Sequence, residues 1–277
     1  IKAVAAEANI DFEPETLAKT SGEVPLICDV RPCGRYNMGD LDRAGGLPAV
    51  MKELEPLLNL DVMTATGATL RENLKSAKVL DRNVIHPLRD PVKSEATYVV
   101  LKGNLAPKGA IVKRGAVPKE MLKHAGPAKV FEEETSACEA LLKDQIGPGD
   151  IVVLRYLGPV GDPGMRLCAY KMLDMIFGFE LQKSIAVVTD GRISGVNEGC
   201  AVVHVSPEAA VGGPIAVVED GDMITIDIQN GRLDVNIPKE ELNSRLLKWK
   251  PREPKAKKGL LVAFSKKFQS ASNDAIL

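Results

Sequence analysis

VVTDGRISGVNEGCAVVHVSPEAAVGGPIAVVEDGD, residues 187–222, is the stretch on which the reading of this chain turns. An apolar run stops abruptly in Asp190-Gly191-Arg192-Ile193-Ser194-Gly195. Glycines on either side of Ser194 let the backbone turn sharply and expose the hydroxyl. A second apolar run delivers His204, and Pro207-Glu208 begins a helical turn. Gly212-Gly213-Pro214 breaks that turn before a third run, IAVVED (215–220). One serine, one histidine, two carboxylates and one arginine are thus expected to converge at strand ends, where a sheet holds functional loops. Asp190 and Arg192 are spaced to form a charge pair. Ser194 with His204 suggests a hydrolase pair, but the G-x-S-x-G elbow is absent. The bland alternative is a glycine-rich turn with a structural Asp-Arg pair and a satisfied core histidine. Spacing alone leaves these open.

Outward from this stretch, short strands recur: TYVVLKG (97–103), AIVKRG (110–115), AKVFE (128–132), DIVVLRYLG (150–158), SIAVVTDG (184–191), CAVVHVS (200–206), MITIDIQ (223–229) and LDVNIP (233–238). Gly-Pro, Asp-Gly-Asp and Asn-Gly separate them. Helical spacing is confined to SACEALLKD (136–144), RLCAYKMLDMIFGF (166–179) and a terminal helix. The pattern predicts a β-rich barrel or sandwich with a few helices outside it. Residues 1–80 read differently. A strand VPLICDV (24–30) precedes helices over 47–60 and 69–77, an α/β rhythm. HPLRDPVKSEA (86–96) marks the crossover. The basic stretch PREPKAKKG (251–259) reads as a solvated linker, with an anion-binding patch as the functional alternative.

Composition bounds the function. With 277 residues, 45% hydrophobic and 26% charged, the chain can bury a core. Aromatics are only 4%, so that core rests on aliphatic side chains. Lys plus Arg (36) nearly cancels Asp plus Glu (37), which argues against nucleic acid as a partner. No apolar run reaches the ~20 residues that span a bilayer, so no membrane role is expected. Five cysteines at irregular spacing are no disulfide framework and fit a reducing, cytoplasmic setting. The opening IKAVAAEANI has helical spacing without a cap, as if a helix were entered midway, so a fragment of a longer protein is expected.

TDGRISG followed by HVSPEAAVGGPIAVVEDGD is similar to the C-terminal signature of the dihydroxy-acid/phosphogluconate dehydratase family. VPLICDVRPCGRYNMGDLDRAGGLPAVMKEL (24–54), TATGATLRENL (64–74), VLKGNLAPKGAIVK (100–113), GPAKVFEEE (126–134) and RYLGPVGDPGM (155–165) follow in family order. The resemblance covers nearly the whole chain, which corresponds to the second half of such an enzyme. It implies an α+β fold: a β-rich, barrel-like swivelling β/β/α domain over residues 86–250, preceded by the tail of an α/β domain (1–85). A basic linker and terminal helix (251–277) would pack back.

The resemblance also implies chemistry. Family enzymes eliminate water from a small 2,3-dihydroxy acid to give a 2-keto acid. An iron–sulfur cluster acts as Lewis acid, and Mg²⁺ holds the carboxylate end. The serine matching Ser194 is the base, with Asp190, Arg192, Gly195, His204 and Glu208 binding substrate or supporting it. Lowering a serine pKa costs ~1.4 kcal/mol per unit, so cations must lie near. The cluster cysteines belong to the N-terminal half, absent here, and Cys28 and Cys33 do not match them. Leu167 stands where a Mg²⁺-binding glutamate is expected, and leucine offers no oxygen to a hard cation. No metal ligand is therefore assigned in this chain, and Asp162 and Asp174 are candidate replacements. Branched-chain precursors lead as substrates, and gluconate-, xylonate- or arabonate-type sugar acids are the alternative. A degenerate, non-catalytic subunit is the reading from another class. The isolated piece is expected to be inactive and to associate, as a homodimer or tetramer in the complete enzyme.

Overall fold

The runs Ile151–Leu154 and Ala186–Thr189 are apolar without alternation because both of their faces are buried. The computed structural model describes residues 2–94, 97–163, 168–193, 198–253, 256–273 and 275. It divides into two units, residues 1–17 with 98–277, and residues 18–97. Its helices are α1 (Lys2–Glu7), α2 (Pro14–Glu23), α3 (Met38–Arg43), α4 (Gly46–Glu53), α5 (Leu70–Asn73), α6 (Glu134–Leu142), α7 (Tyr170–Gly178), α8 (Lys239–Lys248) and α9 (Leu260–Lys267). Among the described residues, no helix is long and apolar enough to cross a membrane.

The larger unit holds the eight strands: β1 (Tyr98–Leu101), β2 (Gly109–Lys113), β3 (Lys123–Phe131), β4 (Ile151–Leu154), β5 (Ala186–Thr189), β6 (Cys200–Ser206), β7 (Met223–Asp227) and β8 (Arg232–Val235). They form one sheet in the order β1-β2-β6-β5-β4-β3-β7-β8. The middle strands β3, β4, β5 and β6 run parallel. The outer pairings are antiparallel. The long strand β3 joins the two regimes. Residues 123–127 pair with β7, and 128–131 with β4.

The sheet curls back on itself into a barrel-like form, as the strand-rich sequence predicts. Lys102, just past β1, bridges Arg232 in parallel. Its N–H donates to the Gly231 carbonyl at 2.8 Å, and Leu233 N–H donates to the Lys102 carbonyl at 3.1 Å. Asn104 extends the seam with its side chain: Nδ2 donates to the Val235 carbonyl at 2.8 Å, and Val235 N–H donates to Oδ1 at 2.7 Å. Gly103 makes this approach possible, since a Cβ there would sit 2.0 Å from the Leu233 carbonyl oxygen. The G-N-L segment is thus a closing device rather than a plain turn.

Alternation along the central strands sorts the side chains. Ile151, Val153, Ala186 and Val188 fill the interior with Leu101, Met121, Val202, Ile224 and Leu233. Val152, Leu154 and Val187 face outward against Ala137, Ala140, Met172, Leu173 and Ile176 of α6 and α7. Those two helices are the crossovers that parallel neighbours require. Each such fully buried aliphatic side chain contributes about 1.5–3 kcal/mol.

Residues 215–220, expected as a strand, instead begin with a 3-10 turn at Pro214–Val217. Ile215, Ala216 and Val218 are buried all the same. The Arg155 guanidinium donates to the carbonyls of Ala216 and Val218 at 2.6 and 2.9 Å, the service a neighbouring strand would give. The helix expected over 166–179 begins at Tyr170. Arg252, in the basic stretch read as a solvated linker, pairs with Glu132 and lies 4.1 Å over the Tyr156 ring.

In the smaller unit the expected strand 24–30 is reduced to single bridges at Leu26, Cys28 and Val30. Asp29 diverts the chain. Its carboxylate accepts from Arg35 N–H at 2.9 Å and pairs with the Arg35 guanidinium at 2.7 Å. Its carbonyl accepts from Arg35 and Tyr36 N–H. The stretch Pro32-Cys33-Gly34-Arg35-Tyr36 (P-x-G-x-Y) is therefore a loop wrapped on one buried aspartate. Capping boxes start α3 (Asn37 with Asp40) and α5 (Thr69 with Glu72). Ile27, Ala49, Val50, Val84 and Ile85 form the core of this unit.

Candidate functional site

The parallel strands β4, β5 and β6 end side by side, and in parallel sheets ligands bind beyond such carboxyl ends. Asp190 follows β5 directly and is fully buried. Its Oδ2 accepts N–H bonds from Tyr156 at 3.0 Å and Ala209 at 2.8 Å, and its Oδ1 accepts from Leu157 at 3.0 Å. One carboxylate thus ties together the segments that leave β4, β5 and β6. This corrects the expected Asp190–Arg192 charge pair, because the partners of Asp190 are main-chain N–H groups. Burial raises the Asp190 pKa, and its N–H bonds pull the other way.

Glu208 is a second anchor, 1% exposed. Its Oε1 accepts from Val160 N–H at 3.0 Å and Gly161 N–H at 2.9 Å. Gly158 packs against it so closely that a Cβ would fall 2.7 Å from the carboxyl carbon. Asp190 and Glu208 therefore grip residues 156–161 at two points. Burial, and then the charge of Asp190, pushes the Glu208 carboxyl up to about 7. Its Oε2 lies near Ser270 Oγ, and neither atom makes a well-formed hydrogen bond. A neutral carboxyl suits that position.

His204 interrupts β6. Its backbone is left-handed (φ 56°), and the register against β2 shifts there, a β-bulge. Its N–H donates to the Gly191 carbonyl at 3.0 Å, which fixes the bulge to the turn after β5. Burial, helped by the nearby Arg192 charge, pushes the imidazole down to about 4. The ring is neutral at pH 7, and its nitrogens make no hydrogen bond among the described residues. It is thus not the satisfied core histidine of the bland reading.

Gly191 lies against Cys168, with a Cβ position 2.3 Å from Sγ. The Cys168 thiol donates to the Arg192 carbonyl at 3.0 Å. Burial pushes Cys168 up to about 11 and Cys200 up to about 12, so both are protonated thiols. Cys28, Cys33 and Cys138 are half-buried and unbridged. Ser194, Gly195 and Leu167 lie outside the described residues. Asp190, Arg192, His204 and Glu208 do gather at one end of the sheet, the first and last as loop anchors rather than open ligands.

A cavity of about 390 Å³ opens beside this end. Ile193 and Gly199, on either side of the undescribed segment containing Ser194, stand in its wall with Ile111, Ala201, Val203 and His204. Lys113 is its one cationic lining residue among those described. No three His, Cys, Asp or Glu side chains among the described residues are grouped to hold a metal ion. Asp162 and Asp174 join no such group. The described residues do not fit an iron–sulfur cluster, which needs several converging thiolates. They do not fit Mg²⁺ either, because no group of carboxylates among them converges on one point.

Sequence reading missed Tyr156 and Leu157, whose N–H groups Asp190 holds, and Gly158 beneath Glu208. The glycine in R-Y-L-G was the available signal.

Residues 83–275 match the dihydroxy-acid/6-phosphogluconate dehydratase C-terminal domain, and residues 1–73 match the N-terminal domain of the same enzymes. The chain is 48% identical to the dihydroxy-acid dehydratase of Acetivibrio thermocellus and 46% to that of Caldicellulosiruptor saccharolyticus. It is 45% identical to that of Caldanaerobacter subterraneus. Each alignment covers 100% of this chain and 50% of the relative. The chain therefore spans about half the length of the curated relatives it matches. Matching along both domains in family order, it belongs to the dihydroxy-acid/6-phosphogluconate dehydratase family.

Proposed function

We propose that this chain is the C-terminal half of a hydro-lyase that converts 2,3-dihydroxy acids to 2-keto acids. Ser194, as its alkoxide, takes the C2 proton, the C3–O bond breaks, that proton passes to the departing hydroxide to give water, and the resulting enol tautomerises to the keto acid. The observation that carries the substrate choice is the wall of the cavity flanked by Ile193 and Gly199. Ile111, Ala201 and Val203 suit a branched alkyl chain. A sugar acid would leave several hydroxyls unpaired against that wall, at about 1–3 kcal/mol each. Dihydroxy-acid precursors of the branched-chain amino acids are therefore favoured over sugar acids.

Asp190 and Glu208 support the reaction by holding residues 156–161 and 209 at the ends of β4 and β6, and His204 supplies a neutral hydrogen-bonding ring. Residues 1–85 are the tail of the N-terminal domain. The cluster and Mg²⁺ that the family resemblance implies would be held mainly by residues of the N-terminal half, and when bound they would supply Lewis acidity. Five unbridged cysteines support a reducing cytoplasm. The complete enzyme is a homo-oligomer.

The test uses the full-length protein, prepared anaerobically. It should form 2-keto acid from 2,3-dihydroxy-isovalerate at least about a hundredfold faster than from gluconate, and Ser194→Ala should lose about a hundredfold or more. A preference for gluconate, or an unimpaired Ser194→Ala enzyme, refutes the reading.

A further inference from the structure

A second cavity, of about 260 Å³, lies in the larger unit against β1, β2, β6 and the short turn Ala271–Asn273. The elimination proposed above gives no part to its charged residues Glu13, Glu15, Lys102 and Lys108. Clefts for drug-sized ligands run about 300–1,000 Å³, so this one suits a smaller molecule.

Its charged lining is divided. Lys102 is engaged by Glu15. Lys108 and Glu13 also line the cavity, and neither makes an ion pair among the described residues. One unpaired cation and one unpaired anion therefore face the same small space. Val100, Ala110 and Ile111 give it an apolar wall. His204 closes it on the side shared with the larger cavity. The left-handed backbone of His204 is the kind of local strain that clusters at ligand sites.

We infer that this cavity binds a small zwitterion, an α-amino acid with an aliphatic side chain. Lys108 takes its carboxylate, Glu13 its ammonium group, and Val100 and Ile111 its side chain. A simple anion would leave Glu13 opposing it, and a simple amine would leave Lys108 opposing it. The site shares Ile111 and His204 with the larger cavity but does not depend on the dehydratase reading, because its charged groups, Lys108 and Glu13, line only this cavity.

Calorimetric titration of the 277-residue chain tests this. The probes are L-leucine, 4-methylpentanoate and 3-methylbutylamine, which share an alkyl group and differ in charge. Leucine should bind saturably, and each singly charged probe should bind about tenfold more weakly or worse. Lys108→Met should weaken leucine about tenfold while leaving the amine unchanged. Glu13→Gln should weaken leucine while leaving 4-methylpentanoate unchanged or tighter. Both side chains are exposed, so an unshifted thermal midpoint is expected of both variants. Three results overturn the inference: no saturable leucine binding, equal binding of the three probes, or leucine affinity unmoved by both variants. The three-probe comparison on the unmodified chain decides the matter even if a variant misfolds. Keto-acid formation by the full-length enzyme is a separate readout, so failure here leaves the dehydratase reading standing.

Discussion

Replacing Asp190 removes the acceptor that three main-chain N–H groups share. Tyr156 and Ala209 donate to Oδ2, and Leu157 donates to Oδ1. Each is a short, direct bond in a region closed to water. In Asp190→Ala all three donors lose their partner. A buried donor left unsatisfied costs about 1–3 kcal/mol, so the loss is about 3–9 kcal/mol before any cavity term. Domains of this kind are stable by about 5–15 kcal/mol, so the alanine variant should be unfolded or close to it. Asp190→Asn is the sharper experiment, because volume is conserved. The amide oxygen can replace Oδ2 and keep two bonds. The NH₂ then faces the Leu157 N–H, donor against donor, at about 2–4 kcal/mol. Urea unfolding followed by circular dichroism reads this as a lower midpoint with an unchanged slope. An asparagine variant within about 0.5 kcal/mol of the parent would refute the claim that this carboxylate holds the ends of β4, β5 and β6 together.

Glu208 ties stability to pH. Its carboxyl is raised from 4.5 to about 7 in the folded state. The stability it contributes is full below pH 4.5 and is lost as pH rises through 7, on the order of 3 kcal/mol. Glu208→Gln should remove that slope and stabilise the protein at pH 8, measured by urea midpoints at pH 5 and pH 8. An equal slope in both proteins counts against the assignment. Gly103→Ala places a methyl 2.0 Å from the Leu233 carbonyl, a backbone atom that cannot swing aside. It should cost about 1–3 kcal/mol and selectively speed hydrogen exchange at Leu233 and Val235. Unchanged exchange there would show that the seam does not depend on this glycine.

Much of the fold was legible because β4 and β5 are short, continuous aliphatic runs bounded by glycine and aspartate, and such runs have few alternatives. The same logic misread residues 215–220. A buried apolar run looks like a strand whether its carbonyls meet a neighbouring strand or, as here, the guanidinium of Arg155 sixty-one residues away in sequence. The gathering of Asp190, His204 and Glu208 at one sheet end could be read from strand order in the sequence. Their roles could not. Asp190 sits beside Arg192 in sequence, yet its partners come from two other segments. A carboxylate's preference for main-chain N–H groups over an adjacent side chain depends on which loops the sheet brings near. The bulge at His204 was equally hidden, since nothing in CAVVHVS breaks the strand pattern. The loop at Asp29 shows the converse: P-x-G-x-Y was visible as a pattern, but its cause is one buried carboxylate.

The seam at Lys102, Asn104 and β8 has a consequence for how the chain can be made and cut. It joins residues about 130 positions apart, so the ring is completed only when one of its last strands arrives. Contacts of such long range are slow to form. Until they do, β1 and β8 each present a row of unpaired N–H and C=O groups, a template for another chain. A chain truncated before Arg232 would keep that template permanently. Its expected fate is intermolecular strand pairing rather than a smaller soluble domain, which places the shortest viable C-terminal boundary beyond Val235.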